Sequence, residues 1–169
     1  MSKASVISNV RKLVVPGKAA IQKTAELVNP IVYTDGSCLS QGFPNARAGY
    51  AVFWDENHPN NQFGRVPGLQ NNSRSEIFAV CQAVNKAIEL EFTKITVLTD
   101  SEYVLYVFEN LAKCKKPDTF NRDLYQSISL RTRRIEVDIE KVKAHSGVYG
   151  NEQADRIARA GAREEQKTV

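Results

Sequence analysis

The chain predicts a single mixed α/β domain, on three observations. Short apolar stretches bounded by turn residues begin at residue 31. From Ser73 the apolar period lengthens to that of a helix, and β-branched stretches then alternate with helical ones. The length, 169 residues, suits one compact domain with at most a short appendage.

Residues 31–35, Ile-Val-Tyr-Thr-Asp, form a short buried strand that ends in a turn at Gly36-Ser37. Residues 48–54 and 62–66 are two further strands, joined by the turn-rich stretch 55–61. Three early strands with short connections suggest an antiparallel meander. Over residues 73–90, Ile77, Val80, Cys81, Val84 and Ile88 make one apolar stripe at helical spacing. Residues 94–99 are a β-branched strand with Asp100 at its end. Residues 102–113 and 122–130 are helical, separated by Lys115-Lys116-Pro117, and residues 135–142 are the last strand. A final helix starts near Asn151 and places Ala154, Ile157, Ala158 and Gly161 on one face. There is no internal repeat and no second domain.

The boundaries are therefore a basic extension at 1–29, a folded domain at 30–164 and a tail at 165–169. The extension carries Lys3, Arg11, Lys12, Lys18 and Lys23 against Glu26, with a helix-breaking Pro16-Gly17. A disordered arm and a mitochondrial targeting segment both fit that composition. Bulk composition adds only limits. A hydrophobic fraction of 42% and a charged fraction of 25% are ordinary for a globular chain. No apolar run is long enough to cross a bilayer. The net charge of +4 and a pI near 9.0 favour a polyanionic partner mildly. Cys38, Cys81 and Cys114 form no CxxC pair, which leaves free thiols in a reducing intracellular compartment, nucleus or cytoplasm. With two histidines only, any metal must be held mainly by oxygen.

Taken singly, the acids look structural. Asp35 before Gly36 is turn chemistry, and Glu76 and Asp155 sit in early helical turns where carboxylates suit the helix dipole. Their arrangement suggests more. Asp35 and Asp100 both stand at apolar strand ends, where α/β folds place ligands. Carboxylates converging in one cleft repel one another unless a cation neutralises them. Asp35, Glu76, Asp100 and Asp155 thus point to Mg²⁺ or Mn²⁺, the hard cations of oxygen ligands. His145, on a Ser-Gly loop ten residues before Asp155, is placed to move a proton.

Four blocks then resemble, in order, the signature of type 1 ribonuclease H. They are Tyr-Thr-Asp35-Gly-Ser, Asn72-Ser-Arg-Ser-Glu76-Ile, Thr-Asp100-Ser, and His145-Ser-Gly leading to Asn151-Glu and Ala-Asp155. The similarity runs from about Ile31 to Arg163. It implies a ribonuclease H-like five-stranded mixed sheet, three strands antiparallel then two parallel, flanked by helices. It also implies a monomeric endonuclease that cuts the RNA strand of RNA–DNA hybrids, leaving 3′-hydroxyl and 5′-phosphate ends. Asp35, Glu76, Asp100 and Asp155 would hold two Mg²⁺ ions, with Mn²⁺ as a substitute, and His145 would assist proton transfer or product release. Cys38, Ser40, Gln41, Glu76 and Asn151 match positions near the RNA strand. By the same resemblance Asn72, Ser101 and Asn121 would contact the nucleic-acid backbone, and Asn71 and Tyr103 are further nucleic-acid-binding candidates.

The departures from that pattern concern grip. Residues 110–120 are shorter than the family's basic protrusion and hold no tryptophan, which reduces the stacking platforms for the DNA strand; Tyr103 and Phe120 would substitute only in part. Leu69 and Asn71 occupy positions where many relatives offer an Arg and a Thr to a DNA phosphate. Lys113, Lys115, Lys116, Arg131, Arg133 and Arg134 offer generic phosphate contacts. The N-terminus does not resemble the relatives' hybrid-binding domain, so processivity should be low. An integrase- or resolvase-type transferase and a non-catalytic hybrid-binding module are the competing readings. The His145 to Asp155 block argues against the first, and the presence of all four acids against the second.

Overall fold

A computed structural model of the chain describes residues 12–15, 29–113 and 120–165. Six strands form one sheet: β1 (Lys12–Val15), β2 (Ile31–Leu39), β3 (Arg47–Phe53), β4 (Gln62–Arg65), β5 (Lys94–Thr99) and β6 (Glu136–Lys141). Their order across the sheet is β1-β6-β5-β2-β3-β4. β2, β3 and β4 pair antiparallel as a meander, and β5 and β6 add parallel to β2. The helices are α1 (Asn72–Glu89), α2 (Glu102–Ala112), α3 (Arg122–Arg131) and α4 (Tyr149–Arg163).

The five strands expected from the sequence are all present in the expected pattern, and a sixth extends them. β1 lies inside the stretch read as an unstructured or targeting extension, and pairs antiparallel with β6 from Lys12↔Glu140 to Val15↔Val137. Residues 1–11 and 16–28 lie outside the described residues, as do 114–119 and 166–169. A second correction concerns β2, which does not turn after Asp35 but runs on, paired with β3, as far as Leu39↔Arg47. The reason is Gly36. A Cβ there would stand 2.3 Å from the backbone nitrogen of Glu76, so this glycine admits α1 against the strand rather than turning the chain. The reversal comes later, where Ser40 and Gly42 take positive φ.

The two sheet faces are buried differently. α1, α2 and α3 cover one face over Val32, Val52, Ile95, Val97, Val137 and Ile139, with Ile77, Val80, Val84, Leu105, Phe108 and Ile128 from the helices. At roughly 25 cal/mol per Å² of apolar area removed from water, this layer is the main stabilising contribution. α4 covers the other face at the meander, where Ala154 and Ala158 meet Ala51 and Phe53. Small residues permit a close approach here, since a Cβ on Gly49 would lie 2.1 Å from Ala162 N. Among the described residues no helix is long and apolar enough to cross a membrane.

Candidate active site

Asp35 is the centre. It lies midway along β2, on the strand face that carries Tyr33 and looks toward α4, and is only 8% exposed. Its Oδ1 accepts the Gly36 N–H at 2.8 Å. Burial first, then Asp100, Asp155 and Glu76, push its carboxyl up to about 8, against that one hydrogen bond. Asp100 follows β5, Glu76 stands in the first turns of α1, and Asp155 sits in α4, so four separate elements bring these acids to one place.

Neutral side chains orient three of the groups. Asn71 caps α1, accepting from Arg74 N at 2.8 Å, which fixes the turn that bears Glu76. Asn72 Nδ2 donates to Glu76 Oε1 at 2.7 Å and Ser101 Oγ to Glu76 Oε2 at 2.5 Å. Burial still pushes Glu76 up, with Asp100 adding to it. Ser101 also caps α2, through the Val104 N–H. Asn151 Nδ2 donates to Asp100 Oδ2 at 2.9 Å, while its buried Oδ1 has no partner among the described residues. Asp155 pairs with Arg159 one turn on, at 3.0 Å. Apart from that arginine, no ion pair among the described residues reaches the four acids.

Among the described residues no three His, Cys, Asp or Glu side chains stand close enough to hold one ion together. The acids face each other, but each is drawn to its own neighbour: Gly36, Asn72 with Ser101, Asn151, or Arg159.

The remaining expected residues divide. Ser40 and Gln41 are exposed on the β2–β3 hairpin, and Gln41 Oε1 accepts the Asn72 N–H at 2.7 Å, linking hairpin to site. Cys38 is half-buried, with its thiol on Leu39 O at 3.7 Å. His145 is exposed on the β6–α4 loop in a left-handed conformation. Tyr103 and Asn121 turn to each other, Asn121 Nδ2 donating to the tyrosine oxygen at 2.9 Å, and Asn121 is 3% exposed. Arg131 donates to Asn85 Oδ1 and to Ser127, bracing α3 on α1 nine residues beyond Glu76, roughly 14 Å along the helix. Of the basic residues read as phosphate contacts, Lys115 and Lys116 lie outside the described residues.

Sequence reasoning missed Arg74. Its guanidinium forks onto Asp123 at 3.0 and 2.7 Å and reaches Asn121 Oδ1 at 3.4 Å, tying α1 to α3 beside the site. Nothing local signals a partner 49 residues away. The Asp155–Arg159 pair was findable, since acid and base stand at the i, i+4 helical spacing.

The family model described as RNase H matches residues 28–163, all of the sheet except β1. The ribonuclease H1 of Rattus norvegicus is 36% identical over 143 residues, covering 79% of this chain and 50% of that protein. The ribonuclease H of Syntrophomonas wolfei is 34% identical over 139 residues, 76% of this chain and 92% of that protein. The chain thus spans about half the length of the mammalian relatives it matches and nearly all of the bacterial one. Among solved structures, a foamy viral protease-reverse transcriptase in complex with dsDNA superposes with a TM-score of 0.59 at 27% identity, over 79% of this chain and 93% of that one. LC9-RNase H1, a type 1 RNase H, shares the fold at 23% identity with a TM-score of 0.58, over 82% of this chain and 74% of that one. With a family match over most of its length and relatives above 30% identity, this chain belongs to the ribonuclease H family.

Proposed function

We propose that the protein is an endonuclease that hydrolyses the RNA strand of RNA–DNA hybrids with the help of two divalent ions. The observation that carries this reading is the buried Asp35, faced by Asp100, Asp155 and Glu76, with Arg159 on Asp155 as the cation paired with the group among the described residues. A carboxyl pushed up to about 8 by burial and three other acids is relieved by a bound cation. The donor set is all oxygen, which fits Mg²⁺, with Mn²⁺ as a substitute.

Asp35, Glu76, Asp100 and Asp155 would hold the metal. The chemistry it supplies when bound is activation of an attacking water and stabilisation of the leaving 3′-oxygen, which leaves 3′-hydroxyl and 5′-phosphate ends. Asn72 and Ser101 orient Glu76, and Asn151 orients Asp100. The unpartnered Oδ1 of Asn151 is suited to accept a ribose 2′-hydroxyl, the group that distinguishes RNA from DNA. Exposed on a left-handed turn, His145 can swing to the product side and transfer a proton.

The test is a strand-resolved cleavage assay on matched RNA–DNA, RNA–RNA and DNA–DNA duplexes, with Mg²⁺ and with EDTA. Cuts should appear in the RNA of the hybrid and vanish in EDTA. Metal-dependent cutting of DNA, or binding with no cutting, would overturn the reading.

A further inference from the structure

Three arginines stand near the loops that border Glu76, and each is engaged within the protein. Arg74 forks onto Asp123 at 3.0 and 2.7 Å. Arg47 donates to the carbonyls of Arg163 and Glu164, and Arg65 to Gln70 Oε1 at 2.9 Å. Beside the exposed polar side chains of Ser40, Gln41 and Asn45, these loops also offer apolar ones to solvent. Phe43, at the tip of the β2–β3 hairpin, is 68% exposed, and Leu69, in the β4–α1 loop, is 53% exposed.

Both side chains stand on braced backbone. Phe43 N donates to Ser40 O at 3.1 Å, and Phe43 O accepts from Ala46 N at 3.0 Å. Beside Leu69, the Gln70 side chain accepts from Ala48 N and donates to Val66 O and Gly68 O. The loops are also coupled to the site, because Gln41 holds the Asn72 N–H and Asn72 holds Glu76. Single exposed apolar residues are common on protein surfaces. Two of them on braced loops that hydrogen-bond into a catalytic cleft have a direct use.

We propose that Phe43 and Leu69 form an apolar rim that grips the sugar and base surface of the duplex entering the cleft. The proposal rests on the hybrid-nuclease reading above. A phenyl ring offers a flat face at low entropic cost, and apolar wedges engage nucleic acid without ionic contacts. Such contacts release no counterions, so they add affinity without adding salt dependence.

The experiment uses the full chain and an RNA–DNA hybrid, with Kd measured in EDTA and steady-state kinetics in Mg²⁺, each across a salt series. Phe43→Ala/Leu69→Ala should raise Kd and KM on the order of tenfold, leave kcat unchanged, and leave the slope of log Kd against log salt unchanged. Phe43→Arg/Leu69→Arg should steepen that slope by about two, one per added phosphate contact. Because both residues are exposed, each variant should unfold at the wild-type temperature. Unchanged Kd in the alanine variant, or an unchanged slope in the arginine variant, would overturn the rim. Were wild-type protein to cut no hybrid, the function reading would fall, while the EDTA binding series would still decide whether these loops touch the duplex.

Discussion

Asp35 and Asp138 lie in one sheet with a single strand between them, and both are buried, at 8% and 0% exposure. Their surroundings are opposite. Asp138 Oδ2 stands 3.0 Å from Lys94 Nζ, and the same ammonium also bonds Glu136 at 2.6 Å. The parallel register brings this about, setting Lys94 beside Glu136 and Thr96 beside Asp138 on one face. Asp35 has a single backbone N–H and three acids. Burying a carboxylate costs several kcal/mol unless something compensates it. At Asp138 the compensation is internal and the group is structural. At Asp35 it is missing, which leaves a place for a cation from outside. Buried charge alone therefore does not mark a site; buried charge without an internal counter-charge does.

The largest effect should come from removing that demand. Asp35→Asn should lower hybrid cleavage by on the order of 10³ or more, since it withdraws a proposed metal ligand. Circular dichroism and hybrid binding in EDTA should stay near wild type. A mutant fully active with Mg²⁺ would show that Asp35 is not a ligand.

Next in size is the pH dependence of metal-free stability. Asp35 has its folded pKa raised to about 8, far above an unfolded value near 3.8. Its contribution is therefore fully present below about pH 4 and is lost as pH rises through about 8, a change of a few kcal/mol. Chemical unfolding in EDTA should show stability falling between about pH 4 and about pH 8. Mg²⁺ should restore it at the alkaline end, and Asp35→Asn should flatten the profile. A flat wild-type profile would mean that Asp35 is not strained by its neighbours.

Asp138→Asn should do the converse at smaller scale. It withdraws a carboxylate from Lys94, which keeps Glu136 and is about a third exposed, so the loss should be about 2 kcal/mol. Cleavage per folded molecule should not change. If activity fell as steeply as in Asp35→Asn while the fold survived, the contrast between the two aspartates would be void.

Much of the architecture was readable from local pattern, because a stripe such as Ile77, Val80, Val84 and Ile88 needs no distant information. The acids stood out for the same reason, each lying in a short block of recognisable residue types. Gly36 misled the reading of β2, since a glycine serves equally for a turn and for close packing, and only the position of Glu76 N separates the two. β1 escaped notice because an edge strand of four residues is defined by the partner backbone it meets.

The sequence by itself determined the family, the order of strands and helices from Ile31 onward, and which four carboxylates stand in motif positions. These follow from side-chain type and spacing along the chain. Only the tertiary structure decided that Asp35 lies mid-strand under burial, that Ser101 and Asn72 share Glu76, and that Lys94 neutralises Asp138 while nothing comparable among the described residues reaches Asp35. Those facts depend on distances between residues far apart in the chain. The Coulomb and desolvation energies that separate a structural aspartate from a ligand are set by those distances and not by the order of residues.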